Sequence, residues 1–186
     1  MPIETYSNIE LVSNALVLLG EEPCSSLSEN RYGVTVGANM FEPIYESELQ
    51  SNRWRFAMKK GALAELVDVP ANQWERAFQL PSDMLLPIGI YPPEPYEIYG
   101  DSIYTNATTV TLDYMFKPET TDLPAYFSLL LTYALARNMA KPVTESDATA
   151  VKWEREYIRQ RAIAQFADAQ GRPAQTVFDS PFTQVR

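Results

Sequence analysis

Residues 145–169 read ESDATAVKWEREYIRQRAIAQFADA, and the pattern inside them organises the rest of the chain. Thr144 before the stretch and Asp147 three residues on stand as in a capping box, which predicts a long helix over 145–169. Projected at 100° per residue, Ala148, Val151, Ile158, Ala162, Phe166 and Ala169 form one apolar stripe. Ala150, Trp153, Tyr157 and Ala164 form a second, on nearly the opposite side. Two stripes on one helix call for two packing partners. One partner is the core; the other is an inserted sheet of the same chain or another subunit. Trp153 and Tyr157, the large aromatics of the second stripe, are the candidate partner-binding residues.

Working back from this helix, Pro124 to Ala140 reads as a helix apolar on most sides, ended by Pro142. Residues 8–19 form another: Ser7 and Glu10 make a capping box, Gly20 supplies a left-handed stop and Pro23 follows. A second N-terminal helix covers 31–51, with Met40, Phe41, Ile44, Tyr45 and Leu49 at helical spacing. Pro43 inside it predicts a kink, or regularity in the second half alone. Between the two helical parts the period changes to two. Trp54, Phe56 and Met58 alternate with basic residues as on a half-buried strand, and 73–80 reads as a short strand. A helical turn is expected at 83–86, then a stiff connector over Tyr91 to Pro95. Gly100-Asp101 joins a hairpin, and Val110, Leu112, Tyr114 and Phe116 alternate as a further strand. The expected fold is therefore α+β and mostly helical: an antiparallel helix bundle (1–51 and 119–170), a small antiparallel β-rich insertion (52–118) and an extended C-terminal tail (171–186). In that tail Phe178 and Phe182 are spaced anchors for a partner.

Composition narrows the chemistry. The chain has 186 residues and no histidine, which excludes Ser-His-Asp and Cys-His nucleophiles and the histidine-ligated metal sites. A lone cysteine, Cys24, excludes an intrachain disulfide and a CxxC zinc cluster. No cofactor is expected: the seven glycines form neither a P-loop nor a GxGxxG pattern, and no GxSxG elbow is present. The net charge of −9 argues against a surface that grips nucleic acid or anionic lipid. The acids crowd the first fifty residues, where Arg31 is the sole base. The start lacks the basic region of a secretory leader, and the uncharged run between Asp122 and Arg137 is shorter than the ~20 residues a membrane span needs.

Three clusters remain to be weighed. Glu42, Glu46 and Glu48 place carboxylates on adjacent turns of the second helix; a bundle metal site would need histidine partners, so a solvated acidic face is favoured. Arg53, Arg55, Lys59 and Lys60 interleave with Trp54 and Phe56, but on a strand the two sets face opposite ways and cannot grip one base. A carboxylate-only enzyme would need Glu97, Asp101 and Asp113 to converge in a cleft, and would be stabilised by metal.

Three stretches in order resemble the tail tubular protein A, or head-to-tail adaptor, family of tailed phages. The first is Asn14-Ala15-Leu16 through Leu19-Gly20-Glu21 and Pro23, similar to that family's opening helix and its stop. The second runs from Leu49 through Arg53-Trp54-Arg55-Phe56-Ala57 and includes Trp74 and Ala77-Phe78-Gln79-Leu80-Pro81-Ser82-Asp83-Met84-Leu85. The third is Ala134-Leu135-Ala136 through Met139-Ala140-Lys141-Pro142-Val143-Thr144, then Tyr157 and the Ala-rich end near Ala164 to Asp168. The tail beyond Gly171 matches none of it.

The resemblance implies a structural virion protein, not an enzyme. It implies a dodecameric ring at the head–tail interface, made of copies of the chain in contact with portal protein, with the nozzle or next tail component and with tail fibres. Double-stranded DNA would pass through its lumen, with no membrane involved. On the charge count, Glu42, Glu46 and Glu48 are expected to face that lumen, because an acidic wall repels phosphate and lets DNA slide. Phe178 and Phe182 would anchor the tail on portal or a neighbouring copy. The competing reading is a monomeric protein-binding module of a phage or its host, which never forms rings.

Overall fold

A computed structural model describes residues 6–67 and 73–171. Among the described residues there are four α-helices: α1 (Asn8–Leu19), α2 (Tyr32–Gln50), α3 (Ala125–Thr144) and α4 (Asp147–Gln170). Six strands lie between α2 and α3: β1 (Met58–Ala62), β2 (Arg76–Gln79), β3 (Met84–Tyr91), β4 (Tyr96–Tyr99), β5 (Ser102–Thr105) and β6 (Thr111–Phe116). The fold is α+β and helix-rich, as expected. The tail, with Phe178 and Phe182, lies outside the described residues.

Helix α1 starts and stops where local chemistry dictates. Ser7 Oγ accepts from the Glu10 amide at 3.3 Å, and Glu10 Oε2 accepts from the Ser7 amide at 2.7 Å. These bonds satisfy two donors that a helix start otherwise leaves open. Gly20 closes the helix at φ 88°, donating its N–H to the carbonyls of Leu16 and Val17. Helix α2 runs unbroken through Pro43. The carbonyl that loses its partner there belongs to Asn39, which is exposed, so water can satisfy it. The same reason corrects the expected end of α3. Pro142 sits inside the last turn, four residues after the exposed Asn138, and the helix continues to Thr144. Glu145 then turns the chain at φ 52°, and Ser146, not Thr144, caps α4 by accepting from the Thr149 amide at 3.2 Å.

Helix α3 is the central element and packs on α1, α2 and α4. Its approach to the N-terminal helices depends on Gly37: a Cβ there would sit 2.5 Å from Val12 Cγ1 and 3.1 Å from Met139 Cε. The bundle core includes Leu11, Leu16, Tyr45, Leu49, Phe127, Leu131, Leu135 and Met139. Trp54 belongs to it as well, which corrects the expected strand at 54–58. Residues Arg55–Ala57 form a 3₁₀ turn, and a strand begins only at Met58. The Trp54 indole N–H donates to the Glu48 carbonyl at 2.8 Å, using an acceptor freed by the end of α2. Its ring meets Phe127 edge-on at 5.1 Å. Burying this indole outweighs the local alternation.

The β-rich part is two antiparallel three-stranded sheets, ordered β1-β6-β3 and β2-β5-β4, where one small sheet was expected. Met58 pairs Met115 in the first, and the β4–β5 hairpin pairs Tyr96 with Thr105 around Gly100 at φ 62°. Residues 84–91 form strand β3, so the helical turn expected at 83–86 is replaced by strand from Met84 on. Pairing with β6 overrides local preference here, and Pro87 is tolerated because β3 lies on the sheet edge. A second core joins the sheets, built on Phe78, Leu80, Ile103, Val110, Leu112 and Tyr114.

Candidate functional site

The side chains on α4 sort into an inner face, two flanks and an outer face. The inner face is Trp153, Tyr157, Gln160, Ala164 and Asp168, all buried against the rest of the chain. Trp153 is 5% exposed and meets Tyr133 of α3 edge-on at 5.7 Å. Tyr157 is 4% exposed, and its hydroxyl donates to Glu48 Oε1 at 2.8 Å. Both were expected to contact a partner. They are core residues of their own chain and are closed to one in this fold. Helical periodicity finds two faces but does not say which meets α3, and the face with the larger aromatic area takes that position.

The lower end of α4 is tied down by Asp168. Its carboxylate accepts from the Arg55 amide at 3.2 Å and from the Tyr126 hydroxyl at 2.7 Å. Burial, then the bond to Asp168, raises the Tyr126 phenol above its ordinary range. Arg137 stands 4.7 Å over the Tyr157 ring and binds Glu154 through Nε. Thus α4 is fixed to α2, α3 and the 3₁₀ turn by its inner face and one flank.

The three acids of α2 do not form one surface. Glu42 and Glu46, one turn apart, both pair with Lys117; the Glu46 contact is 2.9 Å. Glu48 lies on the other side of the helix and is 6% exposed. Burial pushes its carboxyl up, and the Tyr157 hydrogen bond and the nearby Arg161 and Arg137 oppose that shift in part. Its Oε2 has no hydrogen-bond partner among the described residues. Glu48 therefore faces the interior of the chain and not a lumen.

The other expected clusters are dispersed. Lys59 pairs with Asp83 at 2.7 Å and Lys60 with Asp113 at 3.1 Å. Glu97 accepts from Trp74 and Tyr99, while Asp101 holds Gln79. Glu97, Asp101 and Asp113 do not converge, and no group of acids and cysteine fit to hold a metal ion occurs among the described residues. Nor is any described helix long and apolar enough to cross a membrane. Cys24 is a free, buried thiol.

Two apolar surfaces stand out among the described residues. The first is the outer face of α4: Ala148, Val151, Ile158, Ala162, Phe166 and Ala169 are all exposed, with Ile158 at 58% and Phe166 at 66%. This is the first stripe of the sequence pattern, uncovered among the described residues. Arg155 lies within this stripe and Arg159, one turn on, at its edge; both are exposed and without an ion-pair partner among the described residues. The second is a groove of about 440 Å³ between α1 and α3, lined by Leu11, Val17, Leu18, Leu129 and Tyr133. Sequence reasoning missed this groove. Its one signal was that 124–140 is apolar on most sides, more than a single core contact would bury. No protein-family model matches the chain, and no curated protein matches its sequence.

Proposed function

We propose that the chain is a structural virion protein: a ring-forming head-to-tail adaptor that joins the portal vertex to the tail and gives passage to the genome. The observation that carries this reading is the uncovered outer face of α4. Its inner face is already buried against its own chain, so a second apolar stripe that carries unpaired arginines and is uncovered among the described residues suits contact with another subunit. The ordered resemblance along 8–170 supports the same role. The net charge of −9 suits a channel that DNA must slide through, since it offers the phosphates little to bind. In this reading the acidity of the chain as a whole repels DNA, without Glu48.

The test is the native mass of the purified full chain, alone and mixed with portal protein of the same virus. The expected result is a ring-sized assembly in at least one condition. Assembly with portal alone would add that docking nucleates the ring. A species of 21.1 kDa under both conditions would overturn the reading and favour a monomeric binding module.

A further inference from the structure

The two open surfaces are complementary. The outer face of α4 is apolar and positively charged. The groove is apolar, and its walls carry no cation: neither Asn8–Leu19 nor residues 125–136 contain a lysine or arginine. Glu10 stands on α1 in line with Asn14 and Val17 of the groove, and Glu21 follows Gly20 at the end of the same helix. Both acids are exposed, and neither has an ion pair among the described residues. The bonds from Ser7 hold the Glu10 carboxyl below its usual range, so it is ionised at neutral pH. Ile158 and Phe166 lie on the side of α4 opposite the buried face that meets α3, whereas the groove opens between α1 and α3, so one copy cannot fill its own groove with them; Arg159 lies closer to α3, beside Tyr133.

From this we infer that the α1/α3 groove of one copy receives the outer face of α4 from a second copy. Phe166 and Ile158 enter between Val17 and Leu129, and Arg155 and Arg159 meet Glu10 and Glu21. The occupant is a second copy because this chain supplies both halves of the match, in apolar character and in charge. Pairing α4 with α4 would instead leave Arg155 and Arg159 without the acids that the rim of the groove offers. A contact between two different faces is heterologous, so it repeats from copy to copy and can close into a ring. The inference rests on the adaptor reading for the ring, and adds which faces meet.

The experiment uses the full chain at several concentrations in sedimentation velocity, with two double variants. One places acids on the outer face, Ile158→Asp with Phe166→Asp. The other places cations in the groove, Val17→Arg with Leu129→Arg. All four positions are about half exposed or more, and circular dichroism melts confirm that each variant folds. The wild type is expected to self-associate with rising concentration and to weaken as salt is raised. Each variant alone should have a self-association Kd at least about tenfold higher. Mixed, the two variants should associate again, because each retains the face the other has lost. Self-association of the groove variant at wild-type strength would overturn the inference in favour of α4 on α4. A mixture that stays monomeric would overturn it too, as would a wild type monomeric at every concentration. If wild type forms rings with portal and so do both variants, these faces are wrong while the adaptor reading stands.

Discussion

Trp153 and Phe166 lie thirteen residues apart on one helix, and both are large aromatics that the sequence places on apolar stripes. Trp153 lies against Tyr133 and is almost wholly buried, while Phe166 is mostly exposed. The inner face of α4 carries hydrogen bonds as well as packing, through Tyr157 to Glu48 and Asp168 to Tyr126. The outer face carries arginines and, among the described residues, no side-chain hydrogen bonds or ion pairs. The difference separates the face that holds this fold from the face that the described residues leave uncovered. An exposed apolar stripe of this kind is the surface that the proposed assembly would use.

The sharpest way to break this comparison is to truncate the two aromatics in turn. Trp153→Ala is expected to cost about 3–5 kcal/mol in urea unfolding, through the lost burial and the cavity left behind. Removing Asp168 comes next: Asp168→Ala leaves the Arg55 amide and Tyr126 hydroxyl without their acceptor and should cost roughly 2–3 kcal/mol. A Trp153→Ala variant as stable as wild type would mean that the inner face does not hold the fold.

Glu48 tests the buried contact between α2 and α4 through pH. Its folded carboxyl is raised above the unfolded value, so the folded state binds this proton more tightly. Its contribution is thus most favourable below the ordinary carboxylate range and is lost as pH rises through the raised value. Glu48→Gln keeps an acceptor for Tyr157 and removes the buried charge. It should match wild type near pH 4 and be more stable by roughly 1 kcal/mol near pH 8. Equal stability at both ends would mean that Glu48 is solvated. A similar cost, about 1 kcal/mol, is expected for Ser146→Ala in thermal melts, from loss of the α4 cap. The smallest effect belongs to the outer face: Phe166→Ala should change the stability of the dilute chain by less than about 0.5 kcal/mol. A large loss there would show that Phe166 supports its own fold.

What could be read from the sequence follows from the range of each interaction. Ser7, Glu10 and Gly20 define α1 by bonds to near neighbours, and the Gly100 hairpin is equally local. Both were legible. Trp54 was misread because its partners, the Glu48 carbonyl and Phe127, come together only at the corner between α2 and α3. Residues 84–86 were misread because β6, more than twenty residues on, decides their conformation. Pro43 and Pro142 looked like breakers, but each leaves unpaired a carbonyl whose residue is exposed, a fact that needs the packed structure. The stripes of α4 were found and then assigned the wrong way round. Periodicity gives faces; their orientation comes from Tyr133, Arg137 and Glu48, on other elements. The groove escaped notice because two helices build it, and the excess apolar surface of 124–140 does not say which neighbour leaves it open.

The most direct measurement is cryo-electron microscopy of portal protein incubated with the full chain. The account predicts a second ring coaxial with the portal, with α4 of each subunit against the α1/α3 groove of its neighbour. Portal rings with no added density, beside free monomer, would contradict it.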